Sequence, residues 1–136
     1  MKIYAFADEA SPLIDQQIEA MRQNGLDGLE ARKVDGVNVS LLSDAKAKEV
    51  RKKLDDAGLC VWSVGSPIGK IDIEKDDFTA HLEKFKRTME IADILGAKNI
   101  RLFSFFTPAE TRGSYRDEVI ERLGEFVRLA QGSGIT

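Results

Sequence analysis

Four places in this 136-residue sequence put charged or hydroxyl side chains where a strand would end: Asp8-Glu9, Glu30 with Arg32, Ser66 with Lys70, and Arg101 with Ser104. Glu30 and Arg32 alternate with Leu29 and Ala31, and Arg101 sits between Ile100 and Leu102. Successive side chains of an extended chain point to opposite faces. If the apolar set faces helices, the charged set shares the other face. That parity predicts a Glu30–Arg101 ion pair, which is either purely structural or orients a substrate phosphate or hydroxyl. Gly65-Ser66-Pro67-Ile68-Gly69-Lys70 invites a phosphate-loop reading. It fails as a nucleotide loop, because only three residues separate the glycines and Ile71 follows the lysine where Ser or Thr is required. The remaining choices are a loop that carries Lys70 to an anionic substrate and a solvated loop lysine.

The one histidine, His81, and the one cysteine, Cys60, narrow the chemistry further. They exclude an internal multi-His or Cys-rich metal cluster and an internal disulfide. No G-x-S-x-G elbow accompanies His81. His81 borders an apolar stripe in the first turns of a helix, which suits a packing edge or a helix surface, with substrate contact as the alternative. Cys60, early in its strand, reads as an inert core thiol.

Composition limits the partners. Twenty Lys and Arg against 23 Asp and Glu leave a net charge of −3, the wrong balance for nucleic acid. No apolar run approaches the ~20 residues of a membrane helix. Acid at Asp8 comes too early for a signal peptide. With 43% hydrophobic residues the chain can bury a core, and the expected compartment is the cytoplasm.

The elements that must position these groups repeat four times as apolar run, polar loop and helix-spaced segment. Ile3–Ala7 is the first strand, with Ser11 as N-cap and Pro12 opening a helix striped by Ile14, Ile18 and Met21. Gly28–Arg32 is the second strand, followed by a long loop through Asn38, a Ser43 cap and a stripe of Ala47, Val50 and Leu54. Five cations between Lys46 and Lys53 crowd the rest of that helix and read as a solvated outer face. Leu59–Val64 is the third strand, and Asp76 or Asp77 caps a helix striped by Phe78, Leu82, Phe85, Met89 and Ala92. Ile100–Phe106 is the fourth strand. Ser114 and Asp117 resemble a capping box before Val119, Leu123, Phe126 and Ala130.

Strands alternating with helices imply a parallel sheet with right-handed crossovers. Units of roughly 30 residues match the repeat of a (β/α)8 barrel. The expectation is α/β, a parallel (β/α)4 segment over residues 1–136, the N-terminal half of a TIM barrel, with helices on one face. Gly134-Ile135-Thr136 carries the same Gly-then-apolar signal that opens strands two and three, so a fifth strand is expected there. A complete flavodoxin-like binding domain is the rival. Its first turn would be the acidic Asp8-Glu9-Ala10-Ser11-Pro12, without a phosphate cradle.

Gly28-Leu29-Glu30-Ala31-Arg32 with Gly36–Val39, Gly65–Ile71, His81–Arg87 and Ile100–Phe105 together resemble the first half of the xylose isomerase-like TIM barrels, in particular bacterial sugar-phosphate isomerases/epimerases. The resemblance implies isomerisation or epimerisation of a sugar or sugar phosphate, with a divalent metal polarising adjacent oxygens while a carboxylate moves a proton at carbon. It implies that the metal ligands come mainly from later strands, so none is carried over and no tight metal binding is expected of this chain. Substrate-side contacts are expected from Glu30, Lys70, Arg101, Ser66 and His81. The endonuclease IV branch needs several histidines and a basic surface, which this chain lacks. An isolated half-barrel would expose sheet edges and an inner face lined by Trp62, Val64 and Phe103. Self-association into a homo-oligomer is therefore expected, and a non-catalytic half-barrel is the alternative function.

Overall fold

The computed structural model describes the chain from Met1 to Thr136, every side chain included but that of Arg112. The elements are β1 (Tyr4–Ala5), α1 (Ile14–Gln23), β2 (Gly28–Ala31), a hairpin of β3 (Lys33–Val34) and β4 (Val37–Asn38), α2 (Asp44–Asp56), β5 (Cys60–Gly65), α3 (Phe78–Leu95), β6 (Asn99–Arg101) and α4 (Arg116–Ala130). β1, β2, β5 and β6 form one parallel sheet in that order. Sheet order follows chain order, so a doubly wound sheet is excluded. α1 packs on α2, α2 on α3 and α3 on α4, which makes the helices one continuous layer. This is the α/β architecture of half a (β/α)8 barrel.

The core lies between sheet and helices. Leu29, Ala31, Val61 and Val64 from the strands are buried against Ile14, Met21, Val50, Leu54, Phe85 and Ile91. Phe126 of α4 is fully buried among Phe78, Phe85 and Phe105. Strict alternation fails in one place. A bulge between Leu29 and Glu30 sets Glu30 opposite Ser63 and Ala31 opposite Val64, leaving Trp62 as the extra residue on β5. Val64 is therefore buried on the helix side and does not line the inner face, whereas Trp62 stays 48% exposed and stacks on Tyr4 at 5.1 Å.

The caps divide into local and non-local ones. The Ser43 hydroxyl accepts from the Lys46 amide, and the Asp77 carboxylate accepts from the amides of Thr79 and Ala80, as the local pattern predicts. Ser11 does not cap α1. Its hydroxyl accepts from the Leu13 amide, and α1 is capped by Asp35, whose Oδ1 accepts from the Ile14 amide at 2.8 Å. Asp35 has φ +49° beside Gly36 at +79°, the turn that makes the expected long loop into the β3–β4 hairpin. Lys46 at 2.7 Å, helped by the Ile14 amide, holds the Asp35 carboxyl below its usual range. Ser114 is no cap either: its hydroxyl donates to the Thr111 carbonyl, and a 3-10 stretch (Ala109–Tyr115) leads into α4. Strand four is shorter than expected, because the chain leaves β6 after Arg101 and Phe105 takes φ +69°.

Candidate functional site

At the C-terminal ends of β2, β5 and β6 lies a cleft of about 350 Å³ lined by Arg32, Lys33, Asn38, Gly65, Ser66, Pro67, Lys70 and Arg101. Catalytic groups of parallel barrels occupy this end of the sheet. Its cations alternate with aromatic rings. The Arg32 guanidinium lies 5.1 Å from the centroid of Phe6, and Arg101 lies 5.5 Å from the same ring. Arg101 is also 4.5 Å from the Phe103 centroid, and the Lys70 ammonium is 4.5 Å from that second ring. The negative faces of the two rings offset part of the repulsion among three cations held close together.

The two ends of this ladder differ. Arg32 is held by Asp8 at 2.8 Å and by Glu9, which raise its already high pKa, the Asp8 contact most. Among the described residues no carboxylate forms an ion pair with Arg101 or Lys70. Arg101 donates one long bond of 3.4 Å to the Ser66 carbonyl, and its buried Nε has no partner.

Lys70 is aimed by a rigid loop. The Ser66 hydroxyl, fully buried, donates to the Arg101 carbonyl at 2.6 Å and accepts from the Ile68 amide. His81 reaches from α3 so that its Nε2 accepts from the Gly69 amide at 2.7 Å. The carbonyls of Ile68 and Gly69 accept from the amides of Phe103 and Phe105, which zips the loop to the segment after β6. Gly69 has φ +84°, and a Cβ there would lie 1.8 Å from the Phe103 carbonyl oxygen, so only glycine fits. His81 is buried rather than on a surface, and burial, reinforced by Lys84, lowers its pKa. A neutral ring is what the Gly69 amide requires, since an imidazolium has no acceptor.

The structure thus brings Ser66, Lys70, Arg101 and, through the loop, His81 together, but it corrects the expected ion pair. Glu30 lies level with Ser63 and Asn99, whereas Arg101 lies level with Gly65. Glu30 and Arg101 share a face but not a layer, roughly 6–7 Å apart along the strand direction. Cys60 is likewise exposed, not a core thiol. The sequence reading missed Phe6 and Phe103 as spacers between cations. The available signal was the i, i+2 spacing of Arg101 and Phe103, which puts both on one face of an extended segment.

A metal does not fit these residues. Among the described residues no three His, Cys, Asp or Glu side chains are grouped to hold an ion. Asp8 and Glu9 converge on Arg32, and the His81 Nε2 lone pair faces the Gly69 amide.

At the end of the chain Thr136 lies beside β6. Its amide donates to the Lys98 carbonyl at 2.7 Å and its carbonyl accepts from the Ile100 amide at 2.9 Å, the hydrogen-bond pattern of a parallel neighbour to β6.

Comparison with known proteins accords with this architecture. The family model described as xylose isomerase-like TIM barrel matches residues 18–136. No curated protein matches the chain significantly by sequence. Among solved structures, a D-psicose 3-epimerase determined in the presence of D-fructose is 21% identical with a TM-score of 0.71, covering 100% of this chain and 50% of that one. A sugar phosphate isomerase/epimerase from Parabacteroides distasonis is 20% identical at TM-score 0.65, covering 98% and 49%. A xylose isomerase domain protein from Planctomyces limnophilus is 15% identical at TM-score 0.60, covering 100% and 51%. At these identities the likeness is one of fold, and the chain spans about half the length of each of these proteins.

Proposed function

The chain belongs to the xylose isomerase-like TIM barrel family, and from that premise we propose that it supplies the substrate-binding half of a cytoplasmic sugar or sugar-phosphate isomerase/epimerase. The observation that carries this reading is the cationic cleft at the C-terminal strand ends. Such a reaction moves a proton at a carbon beside a carbonyl, so the substrate oxygens must be held while charge develops on them. In this reading Arg101 and Lys70 hold substrate oxygens, and half-buried Glu30 accepts from a hydroxyl on the inner face. Ser66 and His81 act through the loop that presents Lys70. In this reading the proton-transfer and metal-binding groups belong to the other half of the barrel, since the residues present do not make a metal site and the chain spans about half the length of its structural neighbours. The isolated chain is then inactive.

One observation favours a second reading, a non-catalytic half-barrel that self-associates. Ile3 and Trp62 are about half exposed, and β1 has no partner strand on its outer side among the described residues. The two readings separate by mixing. The chain is combined with the C-terminal half of a D-psicose 3-epimerase barrel, and Mn²⁺ binding is measured by calorimetry together with interconversion of D-fructose and D-psicose and of their 6-phosphates. The first reading expects metal binding and turnover only in the mixture. The second expects a concentration-dependent dimer in sedimentation and no complementation. Tight Mn²⁺ binding by the monomeric chain alone would overturn both.

A further inference from the structure

We propose that the Lys70–Arg101 end of the cleft binds a phosphomonoester, which makes the substrate a sugar phosphate anchored at the mouths of β5 and β6. The inference rests on the sugar-cleft reading for the carbohydrate portion and on the ladder of cations and rings for the phosphate.

Three features point to an anion. Arg101 and Lys70 lie on one ring, Phe103, each 4.5 Å from its centroid, with no carboxylate paired to either among the described residues. Bringing like charges together without a counter-ion is unfavourable, and aromatic faces offset that only in part. Second, Arg101 Nε is buried without a partner while Nη2 makes only a 3.4 Å bond to the Ser66 carbonyl, so its donors are held in place and under-used. Third, the cleft is about 350 Å³, within the size of small-ligand sites.

The chemistry selects phosphate. A tetrahedral dianion offers oxygens in several directions, so a guanidinium fork and an ammonium on different segments bond to it together. A neutral hydroxyl would leave both charges uncompensated. The site does not work as an amide cradle, because the loop amides are all engaged: Ser66 with the Val64 carbonyl, Ile68 with the Ser66 hydroxyl, Gly69 with His81 and Lys70 with the Pro67 carbonyl. Side chains must do the binding. The ladder also sets direction. Asp8 and Glu9 sit at the Arg32 end, so the phosphate lies toward Lys70 and the sugar hydroxyls toward Arg32 and Asn38.

The test titrates the isotope-labelled 136-residue chain with D-fructose 6-phosphate, D-fructose and inorganic phosphate, following amide and Arg Nε–H signals by NMR. The expected result is saturable shifts at Arg101 Nε–H and Lys70 with the ester and with phosphate, phosphate displacing the ester, and at least tenfold weaker binding of D-fructose. Lys70→Met and Arg101→Met should each weaken the ester at least tenfold, with their spectra reporting that the fold is intact. Lys52→Met on α2 should leave binding unchanged. Equal affinity for ester and free sugar, both reduced by Arg101→Met, would overturn the phosphate assignment and leave the sugar cleft standing. Shifts confined to α2, or none with phosphate on the unsubstituted chain, would also overturn it.

Discussion

Helix α2 and the cleft are both rich in cations, yet they treat charge in opposite ways. On α2, Lys46 pairs with Asp35 and Glu49, Arg51 with Asp55, Lys52 with Asp56, and Lys53 with Asp15 and Glu49. Helical spacing places residues three and four apart side by side, so a sequence rich in both signs neutralises itself. In the cleft, Arg101 and Lys70 come from a strand end and a loop, where no such periodicity delivers a carboxylate. They meet aromatic faces instead. Arg32 shows the intermediate case, a cleft cation claimed by Asp8 and Glu9. The lesson is that a count of cations is uninformative. A binding surface is marked by cations whose local geometry denies them a partner.

The strongest way to break this comparison is to spoil the loop that aims Lys70. Gly69→Ala places a methyl 1.8 Å from the Phe103 carbonyl oxygen at φ +84°, and should lower stability by at least about 3 kcal/mol in urea denaturation. A wild-type-like midpoint would show that the loop is not pinned as described. Next comes Arg32→Met, which strands Asp8, only 5% exposed, and should cost about 1–3 kcal/mol. Arg101→Met strands no carboxylate and should cost clearly less, although it removes the proposed anion site. Equal losses for the two would erase the distinction between paired and unpaired ends of the ladder.

A double-mutant cycle of Glu30→Gln and Arg101→Met should be additive within about 0.5 kcal/mol, because the two residues lie in different layers. A larger coupling would restore the ion pair that parity alone suggested. A smaller effect concerns His81. Its folded-state pKa is lowered by burial and by Lys84, so as pH falls the unfolded chain takes up a proton before the folded one does. The stability contribution is therefore present above the unfolded value of about 6.5 and is lost as pH falls below it. His81→Gln keeps an acceptor for the Gly69 amide and should flatten the pH dependence of the denaturation midpoint between about pH 7 and pH 5. An unchanged slope would assign that titration elsewhere. At the bottom of the scale, Lys52→Met on exposed α2 should leave the midpoint unchanged at ordinary salt.

Much of this molecule follows from local pattern. The repeated unit, the helix-facing Leu29 and Ala31, and the caps Ser43 and Asp77 are written in residues within a few positions of one another. Periodicity and capping are short-range physics, so sequence alone determined them, and with them the parallel α/β architecture. What tertiary structure decided involves partners far apart in the chain or an added residue in a strand. Asp35 caps α1 from a hairpin, the bulge at Leu29/Glu30 turns Val64 away from the inner face, and the register separates Glu30 from Arg101 by a layer. Lys70 and Arg101 meet across Phe103 because the loop after β5 is zipped to the segment after β6 and pinned by His81. Alternation gives the face on which a side chain stands. Height along the sheet, and hence the neighbour it meets, comes only from strand stagger and long-range hydrogen bonds.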